Sequence, residues 1–154
     1  MSTGKTGNKD QVVVRHLTRS DIDTILELDK KIGKGNSSIT YRDLISMDPG
    51  GLLDFSFIAE INGKAVGFML ARIQYVYIPF TEVCLIHGVG VDPQYHGHHI
   101  GSRLINELLS HCQAEDIPAV RALVDQDNDT LRKFIESLGF QRSKIINYDR
   151  MFEN

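Results

Sequence analysis

The sequence has few of the residues that mark several common classes of protein. Its 154 residues include no tryptophan, four prolines and two cysteines. The cysteines, Cys84 and Cys112, lie outside any CxxC pair, so they cannot form the disulfide framework of a small secreted domain. Neither sign of charge dominates, because the sequence has 17 basic and 20 acidic residues. Composition therefore gives no electrostatic reason to expect a nucleic-acid or membrane partner.

Long hydrophobic runs are also absent. No apolar stretch approaches the length of a bilayer span, and no charged start leads into an apolar signal segment. We therefore expect a cytoplasmic protein that binds neither membrane nor nucleic acid.

What is present is an ordinary globular composition, with 42% hydrophobic and 24% charged residues. The length suits one domain with one core. Residues 1–10 are polar and glycine-rich without periodicity, which predicts a disordered tail ahead of a domain over 11–154.

The pattern of apolar residues predicts alternating strands and helices. A strand over Val12–Leu17 precedes a helix that Ser20 caps, and a short second helix follows over about 38–47. Asn62-Gly63 is a two-residue hairpin signal between strands over 55–61 and 64–78. Another strand covers 81–91.

From Ile100 the apolar period changes from 2 to 3.6, which predicts a helix to about Glu115. A short strand over 118–124, a helix from Asn128 to Gly139 and a last strand over Gln141–Phe152 follow. This order predicts an α/β fold: a mixed, mostly antiparallel sheet of about six strands with about four helices.

The change of period marks the most informative segment. A strand ending at Val91 passes through a loop containing Gly97 into a helix that contains Gly101. The first backbone N–H groups of such a helix, aligned with its dipole, form a site suited to a pyrophosphate. The alternative is that both glycines serve only the turn and helix packing.

Two motifs carry a resemblance to a known family. The loop resembles the acyl-CoA signature Q/R-x-x-G-x-G/A of the GNAT family of N-acetyltransferases, with Gln94 and Gly97 matching and His99 standing where glycine or alanine is usual. Residues 128–140 resemble that family's asparagine-led helix ending in Leu-Gly-Phe. The likeness covers about residues 12–142.

The resemblance implies direct transfer of an acetyl group from acetyl-CoA, a cosubstrate, to a primary amine. It also implies that the sheet splays at the strand before the loop. Asn128 matches the family's asparagine near the pantetheine, and an ordinary helix N-cap is a compatible reading. By resemblance the cofactor-binding residues are Val89, Gly90, Val91, Gln94, His96, Gly97, His98, His99, Ile100, Gly101, Ser102 and Asn128.

An amine is mostly protonated at neutral pH and must lose a proton before it attacks a thioester. His87 resembles the strand histidine assigned as the base in the arylalkylamine acetyltransferase branch, and alternation places it on the face of Val89 and Val91. A histidine satisfied within the sheet is the alternative reading. Glu82 is the alternative base, although it faces the other way in a strand without a bulge.

Two departures from the family pattern stand out. Ile135 occupies the position of the tyrosine that protonates the departing thiolate in many members. Tyr148 is a candidate substitute, with an ordinary strand tyrosine as the alternative. The chain also ends soon after that strand, so we expect one wall of the acceptor groove to be open or to be completed by a second subunit of a homodimer.

Three histidines in the loop, His96, His98 and His99, suggest a metal only superficially. Adjacent histidines on one turn rarely converge on an ion, so we expect no metal. The acceptor stays open among a small amine, a lysine and a protein N-terminus, because its selection falls to 32–47 and 75–81, where no motif helps. The competing hypothesis is a non-catalytic acyl-CoA-binding or interaction module.

Overall fold

A computed structural model describes residues 11–33, 39–75 and 82–153. The predicted tail over 1–10, the glycine-containing interruption over 34–37 and the strand end over 76–78 lie outside these residues. The chain divides into two compact units, one up to Leu123 and one from Val124.

The first unit contains a five-stranded sheet with its strands in chain order. Its first four strands pair antiparallel and the fifth pairs parallel with the fourth. The predicted α/β class with a mostly antiparallel sheet is therefore confirmed, with five strands and four helices. The elements are β1 Val12–His16, α1 Ile22–Ile32, α2 Tyr41–Ser46, β2 Phe57–Ile61, β3 Lys64–Tyr75, β4 Glu82–Val91, α3 Ile100–Ala114, β5 Val120–Ala122 and, in the second unit, α4 Asp129–Ser137.

The hairpin between β2 and β3 forms as the sequence predicts. Asn62 and Gly63 both have positive φ, 52° and 76°. That pair of conformations makes a two-residue turn whose twist matches that of the strands, and asparagine and glycine are the residues that adopt it at least cost.

The sheet of the first unit carries helices on both faces. Phe68 and Leu70 of β3 pack into one buried cluster with Ile25 and Leu28 of α1 and Leu44 of α2. On the other face α3 contacts strands β1 to β4. Its approach is close, since a Cβ at residue 67 would lie 2.9 Å from the Ile100 Cγ2. The end of β4 and the start of α3 are thereby held by the core.

The first helix begins differently from the prediction. Thr18, not Ser20, occupies the N-cap position of a short 3-10 turn over Arg19–Asp21 that leads into α1. Asp21 favours Thr18 over Ser20 as the N-cap residue, because its carboxylate accepts hydrogen bonds from the Thr18 N–H (2.8 Å) and hydroxyl (2.9 Å). The same carboxylate forms an ion pair with Arg15 (2.9 Å). A residue three positions after the cap stabilises it reciprocally in this way.

The predicted last strand over Gln141–Phe152 is wrong. Residues 140–153 form no helix or strand, and Ile146, Tyr148 and Phe152 are 72%, 90% and 79% exposed. A strand exists only where its backbone pairs with a neighbour, and β-propensity alone does not supply one.

Among the described residues, no helix is long and apolar enough to cross a bilayer.

Candidate active site

Strand β4 loses its outer neighbour halfway along its length. Strand β5 pairs only with Cys84, Leu85 and Ile86, whereas β3 pairs with β4 as far as Val91. From His87 onward the edge of β4 that faces away from β3 therefore has no strand partner within the described chain. This is the splay implied by the resemblance, and it leaves backbone polar groups open to an extended ligand.

A β-bulge lies at the point where the outer pairing stops. Leu70 pairs with Gly88 and Ala71 pairs with Ile86, so His87 is the extra residue on β4. A bulge shifts the alternation of side chains and re-aims the residue it inserts. The expectation that His87 shares a face with Val89 and Val91 assumed strict alternation, and the bulge removes that basis.

His87 lines a cavity beside the sheet. The cavity has a volume of about 660 Å³, is partly open to solvent, and is lined by residues of α2, the turn after it and strands β3 and β4. Its apolar lining includes Leu44, Met47 and Leu70, and its polar lining includes Asp43, Arg72 and His87. Size and mixed lining are those of a small-molecule site.

The surroundings of His87 favour its neutral form. Partial burial lowers the pKa of His87 below the ordinary 6.5, and the positive charge of Arg72 lowers the pKa further. A neutral imidazole can accept a proton, so the cavity holds a histidine suited to act as a base near neutral pH.

Glu82 lies apart from this cavity. It is half-buried at the first position of β4, opposite Tyr75, and is not among the residues that line the cavity. Five residues of extended strand separate it from His87, a Cα distance of roughly 16 Å. The two groups cannot contact the same acceptor proton directly.

Val89, Gly90 and Val91 form the end of β4 beyond the bulge. Gly90 packs so tightly that a Cβ there would meet the Phe68 ring at 2.8 Å and the Ile32 Cδ1 at 2.9 Å. Val89 is 39% exposed and Val91 is half-buried. The glycine at 90 thus has a packing reason, while the open edge of β4 runs through the same residues.

The loop after β4 is anchored by a buried carboxylate. Asp92 is 1% exposed, accepts a hydrogen bond from the Gln94 N–H (3.0 Å) and pairs with the Lys31 ammonium of α1 (2.7 Å). Burial favours the neutral acid, but Lys31 and the Gln94 N–H outweigh it and hold the pKa of Asp92 below its usual value. An Asp-Pro pair that begins a 3-10 turn is the sequence signal for this cap.

The first turn of α3 offers backbone donors without a side-chain cap. His99 is the N-cap residue, in the left-handed conformation (φ 58°, ψ 27°), and its side chain makes no cap hydrogen bond. The N–H groups of Ile100, Gly101 and Ser102 begin the helix and have no intrahelical acceptor by geometry. With the helix dipole they fit a pyrophosphate.

The loop side chains differ in their contacts. Gly97 has φ 87°, and a Cβ there would meet open space. His98 Nδ1 lies 3.0 Å from the Tyr95 carbonyl oxygen. His96 and His99 are exposed. The structure thus gives Gly97 a conformational reason and leaves the imidazoles of His96 and His99 toward solvent.

In the second unit, Asn128 is the N-cap of α4, where its side chain accepts a hydrogen bond from the Leu131 N–H (3.1 Å). Ile135 is half-buried on that helix. Tyr148 lies in the segment without regular structure. The capping role of Asn128 is confirmed, while its role toward a cofactor and that of Tyr148 toward a thiolate stay predictions.

No three His, Cys, Asp or Glu side chains of the described ranges lie close enough together to hold an ion. Cys84 and Cys112 are buried, and their thiols contact each other between β4 and α3.

Arg72 is the polar residue of the cavity that sequence reasoning missed. A signal was available, because Phe68, Leu70 and Arg72 alternate on β3 and the first two are core residues. A charged residue that continues an apolar alternation marks a place where the buried face opens into a site.

Comparisons with known proteins agree with this geometry. Residues 22–140 match the model of the acetyltransferase (GNAT) family. An uncharacterized N-acetyltransferase of Methanocaldococcus jannaschii is 29% identical over 86% of this chain, and the N-alpha-acetyltransferase RimI of Mycobacterium tuberculosis is 30% identical over 89% of it. The alignments span 62% and 83% of those relatives.

A solved structure shares the fold. An aminoglycoside N-acetyltransferase in complex with CoA superposes with a TM-score of 0.76 at 19% identity, covering 92% of this chain and 95% of that one. The family model spans most of the chain, from α1 through the loop after β4 to α4. This chain belongs to the GNAT family of acetyltransferases.

Proposed function

We propose that this protein transfers an acetyl group from acetyl-CoA to a primary amine bound in the cavity beside His87. One observation carries the proposal: β4 loses its outer partner at the residue where a bulge presents a histidine to a cavity. An extended ligand on the open edge and an amine in the cavity would meet there.

The residues present fit acetyl-CoA. The backbone of Val89, Gly90 and Val91 would hold the pantetheine arm, and the N–H groups of 100–102 would hold the pyrophosphate. The loop residues that precede that helix end are proposed to contact the same group: Gln94, His96, Gly97, His98 and His99. Asn128 is proposed to contact the pantetheine. Bound acetyl-CoA supplies an activated thioester.

His87 is the proposed base. Its imidazole takes a proton from the acceptor ammonium, so that the amine lone pair can attack the thioester carbonyl. The neutral form that Arg72 favours is the form that accepts the proton. Glu82, distant along β4, is the alternative base, acting through water.

The thiolate leaves without the tyrosine that Ile135 replaces. A thiolate is a better leaving group than an alkoxide because its conjugate acid has a much lower pKa, so a strong general acid is dispensable. Tyr148 is the proposed proton donor to the departing thiolate in any step that uses one. The names of a relative, an N-alpha-acetyltransferase, and of a fold neighbour, an aminoglycoside N-acetyltransferase, support an amine as the acceptor.

Release of CoA thiol in the presence of acetyl-CoA and a panel of amines tests the proposal. The wild-type protein should turn over at least one amine, His87→Gln should lower its kcat roughly 100-fold, and Glu82→Gln should stay within about threefold. A collapse in Glu82→Gln with normal His87→Gln would reverse the assignment. Tight acetyl-CoA binding with no turnover of any amine would favour the non-catalytic module.

A further inference from the structure

The cavity beside His87 contains a cation, Arg72, that pairs with no carboxylate of the described residues. Arg72 projects from the middle of β3, and its Nη1 donates a hydrogen bond to the Ser46 carbonyl oxygen (2.9 Å) at the end of α2. Arg72 takes part in none of the ion pairs formed within residues 11–33, 39–75 and 82–153. A guanidinium has five N–H donors, so one neutral acceptor leaves most of them to other partners.

The cavity's carboxylate is committed elsewhere. Asp43 accepts a hydrogen bond from the Thr40 N–H (2.9 Å) in the capping box of α2, and Thr40 receives one from the Asp43 N–H (3.1 Å). These bonds hold the pKa of Asp43 below its usual value. Its negative charge lies at the first turn of the helix, where the helix dipole already compensates it.

Arg72 is therefore the charged lining residue that can still take a charged partner. It is half-buried in a lining that includes the apolar residues Leu44 and Leu70, where a cation gains from an anion or from several acceptors. Arg72 also lies close enough to His87 to influence its proton affinity. A group bound to Arg72 would thus belong to the same small molecule whose amine reaches His87.

We propose that Arg72 binds a carboxylate of the acceptor, so that the protein acetylates amines that also carry a carboxylate, such as amino acids. The inference rests on the proposed function and names the substrate class of that site. A planar guanidinium matches a carboxylate with two parallel hydrogen bonds. An acceptor with a second ammonium in this position would instead meet the Arg72 charge and be disfavoured.

Matched acceptors test the proposal. Amino acids with one to five carbons between amine and carboxylate are compared with alkylamines, amino acid amides and aminoalkylphosphonates of equal length. For at least one length, kcat/KM should be roughly 10- to 100-fold higher with the carboxylate than with the alkylamine, the effect of a charge-assisted bidentate contact. Equal rates with alkylamines, or higher rates with phosphonates, would contradict the carboxylate assignment.

Arg72→Gln separates recognition from support of the fold. The variant should bring the carboxylate-to-alkylamine ratio of kcat/KM to within about threefold of unity through a higher KM for the carboxylate. Arg42→Gln, an exposed arginine on α2 outside the cavity, is the matched control and should keep the wild-type ratio. A fall of both acceptors alike in Arg72→Gln would mean a structural role and overturn the proposal.

A binding measurement tests the carboxylate contact without requiring turnover. Calorimetric titration of the wild-type protein with N-acetyl amino acids of the same lengths should show binding that weakens at least tenfold in Arg72→Gln. Absence of turnover with every amine would reject the proposed function, whereas equal binding by wild type and Arg72→Gln would reject the carboxylate subsite.

Discussion

At the scale of single residues, the proposed role of the His87 imidazole depends on three features: its place in the bulge of β4, the cavity that it lines, and the nearby charge of Arg72. The resemblance to the family identified His87 on its strand, but strict alternation could not give its direction. Leu85, Ile86 and Gly88 fit a regular strand as well as a bulged one, because the extra residue depends on the register with β3. Arg72 continues an apolar alternation on β3, but its hydrogen-bond partner on α2 is distant in sequence and could not be predicted.

The pH dependence of the reaction follows from the pKa of His87. A folded-state pKa below 6.5 means that the imidazole is already neutral at neutral pH, so kcat/KM should fall only as pH drops below about 6.5. Because the base removes a proton from the bound ammonium, the profile should form a plateau up to the amine pKa near 10.

Arg72→Gln should move the acid limb of this profile to higher pH, since one cause of the lowered pKa is removed. Rate measurements from pH 5 to 10 check both statements. A profile that rises steadily to the amine pKa, unaffected by His87→Gln, would mean that the free amine reacts without a protein base.

His99 carries a conformational cost. Its φ of 58° lies in the left-handed region, where a side chain costs about 1–2 kcal/mol. His99→Gly should therefore raise the free energy of unfolding by up to roughly 1 kcal/mol, because the backbone entropy that glycine loses on folding partly offsets the relief of strain. Chemical denaturation measures this. An unchanged or lower stability would contradict the strain, and a simultaneous loss of acetyl-CoA affinity would identify the imidazole as a phosphate contact.

At the scale of elements, the junction between β4 and α3 is held to α1 by the Asp92–Lys31 pair. The strand, loop and helix were predictable because the apolar period changes within a few residues. The anchor was not, since Lys31 is 61 residues distant in sequence. The cap of α1 shows a similar limit: Thr18 and Ser20 are both suitable residues, and only the reciprocal bonds of Asp21 select Thr18.

Asp92→Asn should lower the free energy of unfolding by roughly 1–2 kcal/mol, a moderate value because Lys31 is 43% exposed and its charge stays hydrated. The asparagine can still cap the 3-10 turn, so the loss reports on the ion pair. Lys31→Gln should have a similar effect and Lys30→Gln, its exposed neighbour, little or none. Equal effects of the two lysine variants in urea denaturation would contradict the anchor.

The Asp92 contribution should also depend on pH. Because its folded-state pKa is lowered, the stabilisation is present above the ordinary pKa near 3.8 and is lost as pH falls through the folded value. The stability difference between wild type and Asp92→Asn should therefore shrink in acid.

At the scale of the whole molecule, the sheet and its flanking helices could be predicted from periodicity, turn residues and two motifs. The segment over Gln141–Phe152 could not, because its β-branched and aromatic residues favour a strand whose partner the residue pattern does not specify. The backbone donors at the start of α3 and a histidine on β4 were both expected from the sequence, whereas the bulge at His87 and the cavity that it lines were not.

The central claim is that the junction of β4 and α3 binds acetyl-CoA, and thermal unfolding with acetyl-CoA tests it most directly. A ligand that binds only the folded state at 100 times its Kd stabilises by about 2.7 kcal/mol, which raises Tm by roughly 5–10 °C. Gly97→Asp, which sets a carboxylate beside the uncapped N–H groups of α3, should remove this shift. Gly63→Asp, at another open positive-φ glycine (φ 76°) in the β2–β3 hairpin, carries the same backbone strain and should retain it. A full shift in Gly97→Asp, or none in the wild-type protein, would contradict the account.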